Sequence, residues 1–338
     1  MAGNRRTFLK TAGFTAAALA AALAAAPIGA AIPEPALAAG RSFVAGKFAL
    51  ELNEAFQGIV LSTDGGDAYA DVIDEQPGGD GVIHKHIGQP QYEDIRIALD
   101  MSMESATYDW IKHCMDHSPE RKNGAIIAAD LNYKELSRLS FSEALITEIA
   151  FPALDAASKD AAKMTLKFAP ESTRRLKGSG AMLNANTKKG QKTWLVSNFR
   201  ISIDGLEDAC KKVNKIEALV IKQTLREAAI GEVRDSGREP AKLEIPNLTL
   251  TVPESAAQEW FDWADDFIIQ GNNGDGKERK GTLDFLSPNL AAVLGTLSFS
   301  HLGIFKCTPE KSESNSDSIR RVKVEMYCES MSFSMPAP

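Results

Sequence analysis

The sequence is poor in cysteine, and none of its four, Cys114, Cys210, Cys307 and Cys328, stands at C-x-x-C spacing with another. That absence removes the usual redox and zinc-ribbon signatures. Four cysteines allow three disulfide pairings, but domains of the size available here bury an adequate core without staples, so free buried thiols and bridges both stay open. No G-x-S-x-G, H-E-x-x-H, P-loop or G-x-G-x-x-G occurs, so the nucleophile-elbow, zincin, phosphate-cradle and dinucleotide-binding signatures are all missing. Long apolar runs are missing too, except at the N-terminus. Composition is that of an ordinary globular chain, 44% hydrophobic and 25% charged, with no disordered, collagenous or coiled-coil bias.

What is present begins with the leader. Asn4-Arg5-Arg6-Thr7-Phe8-Leu9-Lys10 precedes an alanine-rich run over residues 14–31, and Ala36-Leu37-Ala38 supplies an A-x-A site that predicts cleavage between Ala38 and Ala39. The run is too weakly hydrophobic for an anchor, and no stable membrane span is expected. The pair Arg5-Arg6 in this setting resembles a twin-arginine signal, which implies the Tat export machinery as a partner and a periplasmic or extracellular destination. Removing residues 1–38 takes away Arg5, Arg6, Lys10 and Glu34 and moves the formal charge from −7 to −9. Such an acidic chain is a poor nucleic-acid binder.

At 338 residues, two domains are the prior. Internal similarity agrees with it: Glu104-Ser105-Ala106 and Trp110 recur as Glu254-Ser255-Ala256 and Trp260, an offset of 150. Leu139-Ser140-Phe141-Ser142 recurs as Leu297-Ser298-Phe299-Ser300, and Glu171-Ser172 as Glu329-Ser330, both offset by 158. The extra residues fall in the loop around Asn272-Asn273-Gly274-Asp275-Gly276. Each copy opens on an alternating strand, with Phe48, Leu50 and Leu52 in the first and Phe199, Ile201 and Ile203 in the second. Later strands carry Ile95, Ile97, Leu99 and Leu248, Leu250, Val252. Each is followed by a helix with its apolar face at 3.6-residue spacing. The expected fold is mainly β, a barrel or sandwich with one packed helix per domain: signal 1–38, first domain 39–176, linker 177–196, second domain 197–338.

Phe199-Arg200-Ile201-Ser202-Ile203-Asp204-Gly205 resembles the opening strand of the contractile-phage tail tube family. In the first copy, Asp71-Val72-Ile73-Asp74, the Gly-rich tip Gly78-Gly79-Asp80-Gly81, His84-Lys85-His86-Ile87-Gly88 and Ile95-Arg96-Ile97 are similar to that family's hairpin and following strand. Tyr108-Asp109-Trp110-Ile111 is similar to its helix. Ile87 departs from the pattern by standing where the family has proline. The resemblance, which extends to the tube protein of type VI secretion, spans most of residues 47–172 and 197–333. It implies a non-enzymatic structural subunit whose rings stack into a hollow filament. Two copies per chain would place three chains in a pseudo-hexameric ring, the partner being the chain itself. The hairpin tips Pro77, Gly78, Gly79, Asp80, Gly81 and Asp235, Ser236, Gly237, Arg238 are expected to reach the adjacent ring.

Candidate chemistry is thin. His113 and His117 sit at i, i+4 on the first helix, but the second copy has no histidine at matching positions, so solvated or partner-facing side chains are expected. His84 and His86 share one strand face without a third ligand in sight. Asn272-Asn273-Gly274-Asp275-Gly276 lacks the register and the closing Glu of a calcium loop. No catalytic residue, cofactor or metal is assigned. The alternatives are an exported enzyme or carrier, or a non-polymerising binding module, on the same β fold.

Overall fold

Alternation of apolar and polar side chains sets most of the strands. In β1 (Lys47–Leu52) Leu50 and Leu52 enter the main core, while Ala49 enters a small satellite cluster with Ala125 and Ile127 on the opposite face. The computed structural model describes residues 46–75, 79, 81–183, 194–228, 237–311 and 319–336. The leader residues Arg5, Arg6, Ala38 and Ala39 lie outside them, as do Pro77, Gly78, Asp80, Asp235 and Ser236.

The first half continues through β2 (Ala55–Val60), β3 (Ser62–Gly65), β4 (Ala68–Asp74), β5 (Lys85–Tyr92), β6 (Ile95–Leu99), α1 (Ser105–Met115), β7 (Lys122–Ala129), β8 (Glu135–Phe151), β9 (Leu154–Asp155), β10 (Met164–Ala169) and β11 (Ser172–Lys177). The second half runs β12 (Phe199–Ile203), α2 (Glu207–Cys210), β13 (Lys215–Ile216), β14 (Leu219–Ala228), β15 (Gly237–Glu244), β16 (Leu248–Pro253), α3 (Gln258–Ala264), β17 (Arg279–Leu286), β18 (Val293–Pro309) and β19 (Arg321–Ser334). A π-turn over Asp265–Ile269 extends α3. The chain is mainly β.

Both halves use the same strand order. In the first it is β1-β7-β8-β10-β6-β3, with β11 also on β8, and in the second β12-β17-β18-β19-β16-β13. The long strands bend at equivalent points, Glu143 in β8 and His301 in β18, which share a left-handed backbone (φ 51 and 56). Beyond the bend β8 changes partners from β7 and β11 to β10 and β14. The barrel form of the expected fold is corrected here. The sheet paths end on β2 and β3 in one case and on β12 and β9 in the other, so among the described residues no sheet closes on itself. The second half also has a second short helix, α2, where β2 stands in the first.

Helix α1 buries Thr107, Tyr108, Trp110, Ile111, Cys114 and Met115, the stripe expected of its periodicity, and Lys112 and His113 lie near its C-terminal carbonyls. In the second half Trp260, Trp263, Ala264 and Phe267 play the same part. One continuous core spans both halves, within a compact unit running from Phe43 to Pro338.

Candidate assembly surface

The junction between the halves is built from strand addition. β14 lies antiparallel on the outer edge of β8, with Leu219 opposite Phe151, Val220 opposite Ala150, Ile221 opposite Ile149 and Lys222 opposite Glu148. Beside it β13 pairs with β9. Aromatic rings lock the two halves together. Phe151 stacks on Phe285 at 5.6 Å, Phe333 lies 5.5 Å from Phe151 and 6.0 Å from Tyr108, and Trp194 meets Phe285 edge-on at 4.8 Å. Burial pushes the Tyr108 hydroxyl well above the ordinary tyrosine range.

The base of the β14–β15 hairpin completes the junction. Gly237 is buried, and the Arg238 N–H donates to Glu171 Oε1 at 3.1 Å. The Arg238 guanidinium donates to Asp94 Oδ1 and to Tyr92 O, each at 3.3 Å, while Arg121 bridges Glu171 and the Arg238 carbonyl. These expected tip residues are therefore occupied within their own chain. In the first hairpin, Gly79 and Gly81 are exposed, with open space where a side chain would stand.

The corresponding features at the other end of the chain are open. From Gly303 onward β18 pairs with β19 alone, so among the described residues no strand covers the other edge of residues 306–309. Phe305, at the bulge, is 40% exposed, and Phe261, Ala264, Ile268, Ile269 and Cys307 line a groove beside it. Among the described residues the β4–β5 hairpin pairs only with itself, and it exposes Tyr69, Val72, Ile73 and Ile87.

Residues 44–174 match the family model of the T4-like virus tail tube protein gp19. The chain is thus similar to the contractile tail tube family over its first half. Among solved structures it is similar to the anti-feeding prophage tube-terminating cap, at 22% identity over 44% of this chain and 99% of that one, with a TM-score of 0.38. A sheath–tube complex of the PVC extracellular contractile injection system gives 20% identity, 41% and 94% coverage and a TM-score of 0.36. Hcp1 from Flavobacterium johnsoniae gives 15%, 41% and 95%, with a TM-score of 0.25. No curated protein matches. The tail-tube match begins just before β1 and ends in β11.

All four cysteines are free thiols. Burial raises each of them, Cys114 to about 12 and Cys210, Cys307 and Cys328 to about 11, which leaves little thiolate at neutral pH. Of the histidines weighed for metal, His113 faces Glu120 at 2.5 Å and His86 faces Glu75 at 3.2 Å, while His117 sits past the helix end in left-handed backbone. Within residues 177–196, expected as a linker, Leu183 N–H donates to Tyr133 O and Val196 N–H to Asp160 O.

Sequence reasoning missed one polar cluster. Glu278, His301 and Glu329 present ligand atoms within 4.8 Å of one another, with His301 Nδ1 2.7 Å from Glu278 and the Tyr327 hydroxyl donating to Glu278 at 2.6 Å. The Tyr327 hydrogen bond holds the Glu278 carboxyl below its usual range, and Tyr327 itself is pushed up to about 12, chiefly by burial. Glu278 stands just before β17 while His301 and Glu329 lie on β18 and β19, so no spacing in the sequence brings them together. No helix among the described residues is long and apolar enough to cross a membrane.

Proposed function

We propose that this chain is a non-enzymatic structural subunit of a hollow tube, exported folded through the twin-arginine route, in which each polypeptide supplies two tandem tail-tube-like repeats and three chains make a ring. The observation that carries the reading is the junction itself. A repeat that matches the tail tube family receives a strand from a second repeat of the same strand order, and this is how neighbouring units in a ring wall share a sheet. Duplication, with domains at 39–176 and 197–338, is supported by the recurrence of strand order, bend and bulge. Rings would then stack through hairpin tips, residues 77–81 first among them.

Negative-stain microscopy of the mature protein tests this directly: rings or tubes are expected. Monomers alone, across concentrations and salts, would overturn it. Export is tested separately by replacing Arg5 and Arg6 with lysine, which should leave uncleaved precursor in the cytoplasm. Normal accumulation of cleaved protein outside would refute that route.

A further inference from the structure

The two hairpins correspond residue for residue. Tyr69 lies opposite Gln91 as Lys222 lies opposite Glu244, and the bulge between Ala70 and Val72 recurs between Gln223 and Leu225. Five pairs of the two hairpins match at one offset, 153, which also aligns Ser62 on β3 with Lys215 on β13. The receiving strands correspond as closely. β8 opposite β10 and β18 opposite β19 share one register at an offset of 158, with a bulge at Thr147 in one and Phe305 in the other. The junction inside the chain is therefore a template with one giving segment and one receiving edge, and each has an unused counterpart elsewhere on the molecule.

Resting on the ring reading above, we infer that a second copy of this chain seats its β4 segment on the open edge of β18, in the register that places Ala68 opposite Cys307. The intrachain pairs Leu219–Phe151, Val220–Ala150, Ile221–Ile149 and Lys222–Glu148 become Gly66–Pro309, Asp67–Thr308, Ala68–Cys307 and Tyr69–Lys306 between chains. The exposed β4–β5 hairpin then covers Phe305 and the groove beside it. Lys85, the counterpart of Arg238, comes to the exposed carboxylate of Glu329, the counterpart of Glu171, which within its own chain lies 3.9 Å from His301.

The two junctions differ in chemistry. Inside the chain, α1 meets β19 through Tyr108 against Phe333, an apolar contact. At the seam the same positions hold Gln258 and Arg175, and Gln258 is hydrogen-bonded to Asp262 one turn away. The exposed face of α3 and its π-turn carries Glu259, Asp262 and Asp265, and one face of β11 presents Arg175 and Lys177, Arg175 also pairing with Asp67 of its own chain. An acidic helix on one chain thus meets a basic strand on the next. At the helix contact, the link within a chain is built as core and the link between chains as a charged surface.

Replacing Ala68 with cysteine tests the register in the full mature chain. Ala68 is exposed, so the variant retains its fold. Opposed residues of an antiparallel pair bring their Cβ atoms to about 4.5–5.5 Å, within reach of a thiol-bridging reagent. Treatment with dibromobimane should give covalent dimers and trimers of Ala68→Cys on a denaturing gel, ending at the trimer, and none in Ala68→Cys/Cys307→Ser. A cysteine at Asp67 should bridge at least tenfold less, because its side chain faces the other way. Rings or tubes in the microscope with no bridging to Cys307 would overturn this seam while leaving the tube reading intact. Monomers with no bridging would overturn both.

Discussion

Trp110 and Trp260 occupy equivalent positions on the two helices and are 1% and 0% exposed. They are not equal chemically. Trp110 Nε1 donates to the Glu120 carbonyl at 2.8 Å, whereas Trp260 Nε1 is buried with no partner among the described residues. Truncating either to alanine should lower stability by about 3–5 kcal/mol, from lost burial and the cavity left behind. Replacement by phenylalanine separates them. At position 110 it also removes a hydrogen bond, worth about 1 kcal/mol, and at position 260 it relieves an unpaired donor. Urea unfolding of the four variants should therefore rank Trp110→Phe below Trp260→Phe. The opposite order, or a negligible loss in both alanine variants, would mean that the helices do not carry the core as described.

At the scale of elements, the hairpin β4–β5 gives the sharpest expectation. Glu75 N–H donates to His84 O at 2.8 Å, closing the ladder below the tip, and a side chain added at Gly79 or Gly81 would meet open space. Deleting residues 77–81 leaves Gln76, Val82 and Ile83 to join the strands, so the thermal midpoint should stay within about 2 °C of wild type, consistent with the open space around Gly79 and Gly81. Tubes should shorten to single rings if this tip joins one ring to the next, and wild-type tube lengths would remove the tip from that role. Much of the element structure was legible in the sequence. Alternation marked β1, β6, β12 and β16, and the spacing of Trp110, Ile111, Cys114 and Met115 marked the first helix. The landing of β14 on β8 was not legible, because strand addition is specified by backbone groups and register, which side-chain patterns do not encode. The left-handed residues Glu143 and His301 were equally hidden. Neither is glycine or asparagine, and their bends are held by the strands on either side.

Across the whole molecule, two electrostatic effects oppose each other during assembly, and their ranges decide which governs at a given salt. The full chain carries −7, and −9 if residues 1–38 are removed as proposed, so like chains repel over distances comparable to their size. The seam between Arg175 on one chain and the Asp262 region of the next is a contact attraction of a few ångströms. Screening acts on the long-range repulsion first, because the Debye length is already about 10 Å at 0.1 M salt, and reaches contact distances only near 1 M, where it is about 3 Å. The sedimentable fraction of mature protein should therefore rise between about 0.01 and 0.15 M sodium chloride and fall again towards 1 M. Far-ultraviolet circular dichroism should stay constant throughout, because the junction within each chain rests on buried aromatic packing and a strand ladder as well as its ion pairs, and survives. Removing the charge with Arg175→Ala should flatten the high-salt decline and leave the low-salt rise in place. Sedimentation that climbs steadily to 1 M in wild type would show that ion pairs do not hold the seam, and that apolar burial around Phe305 and the groove beside Cys307 outweighs them.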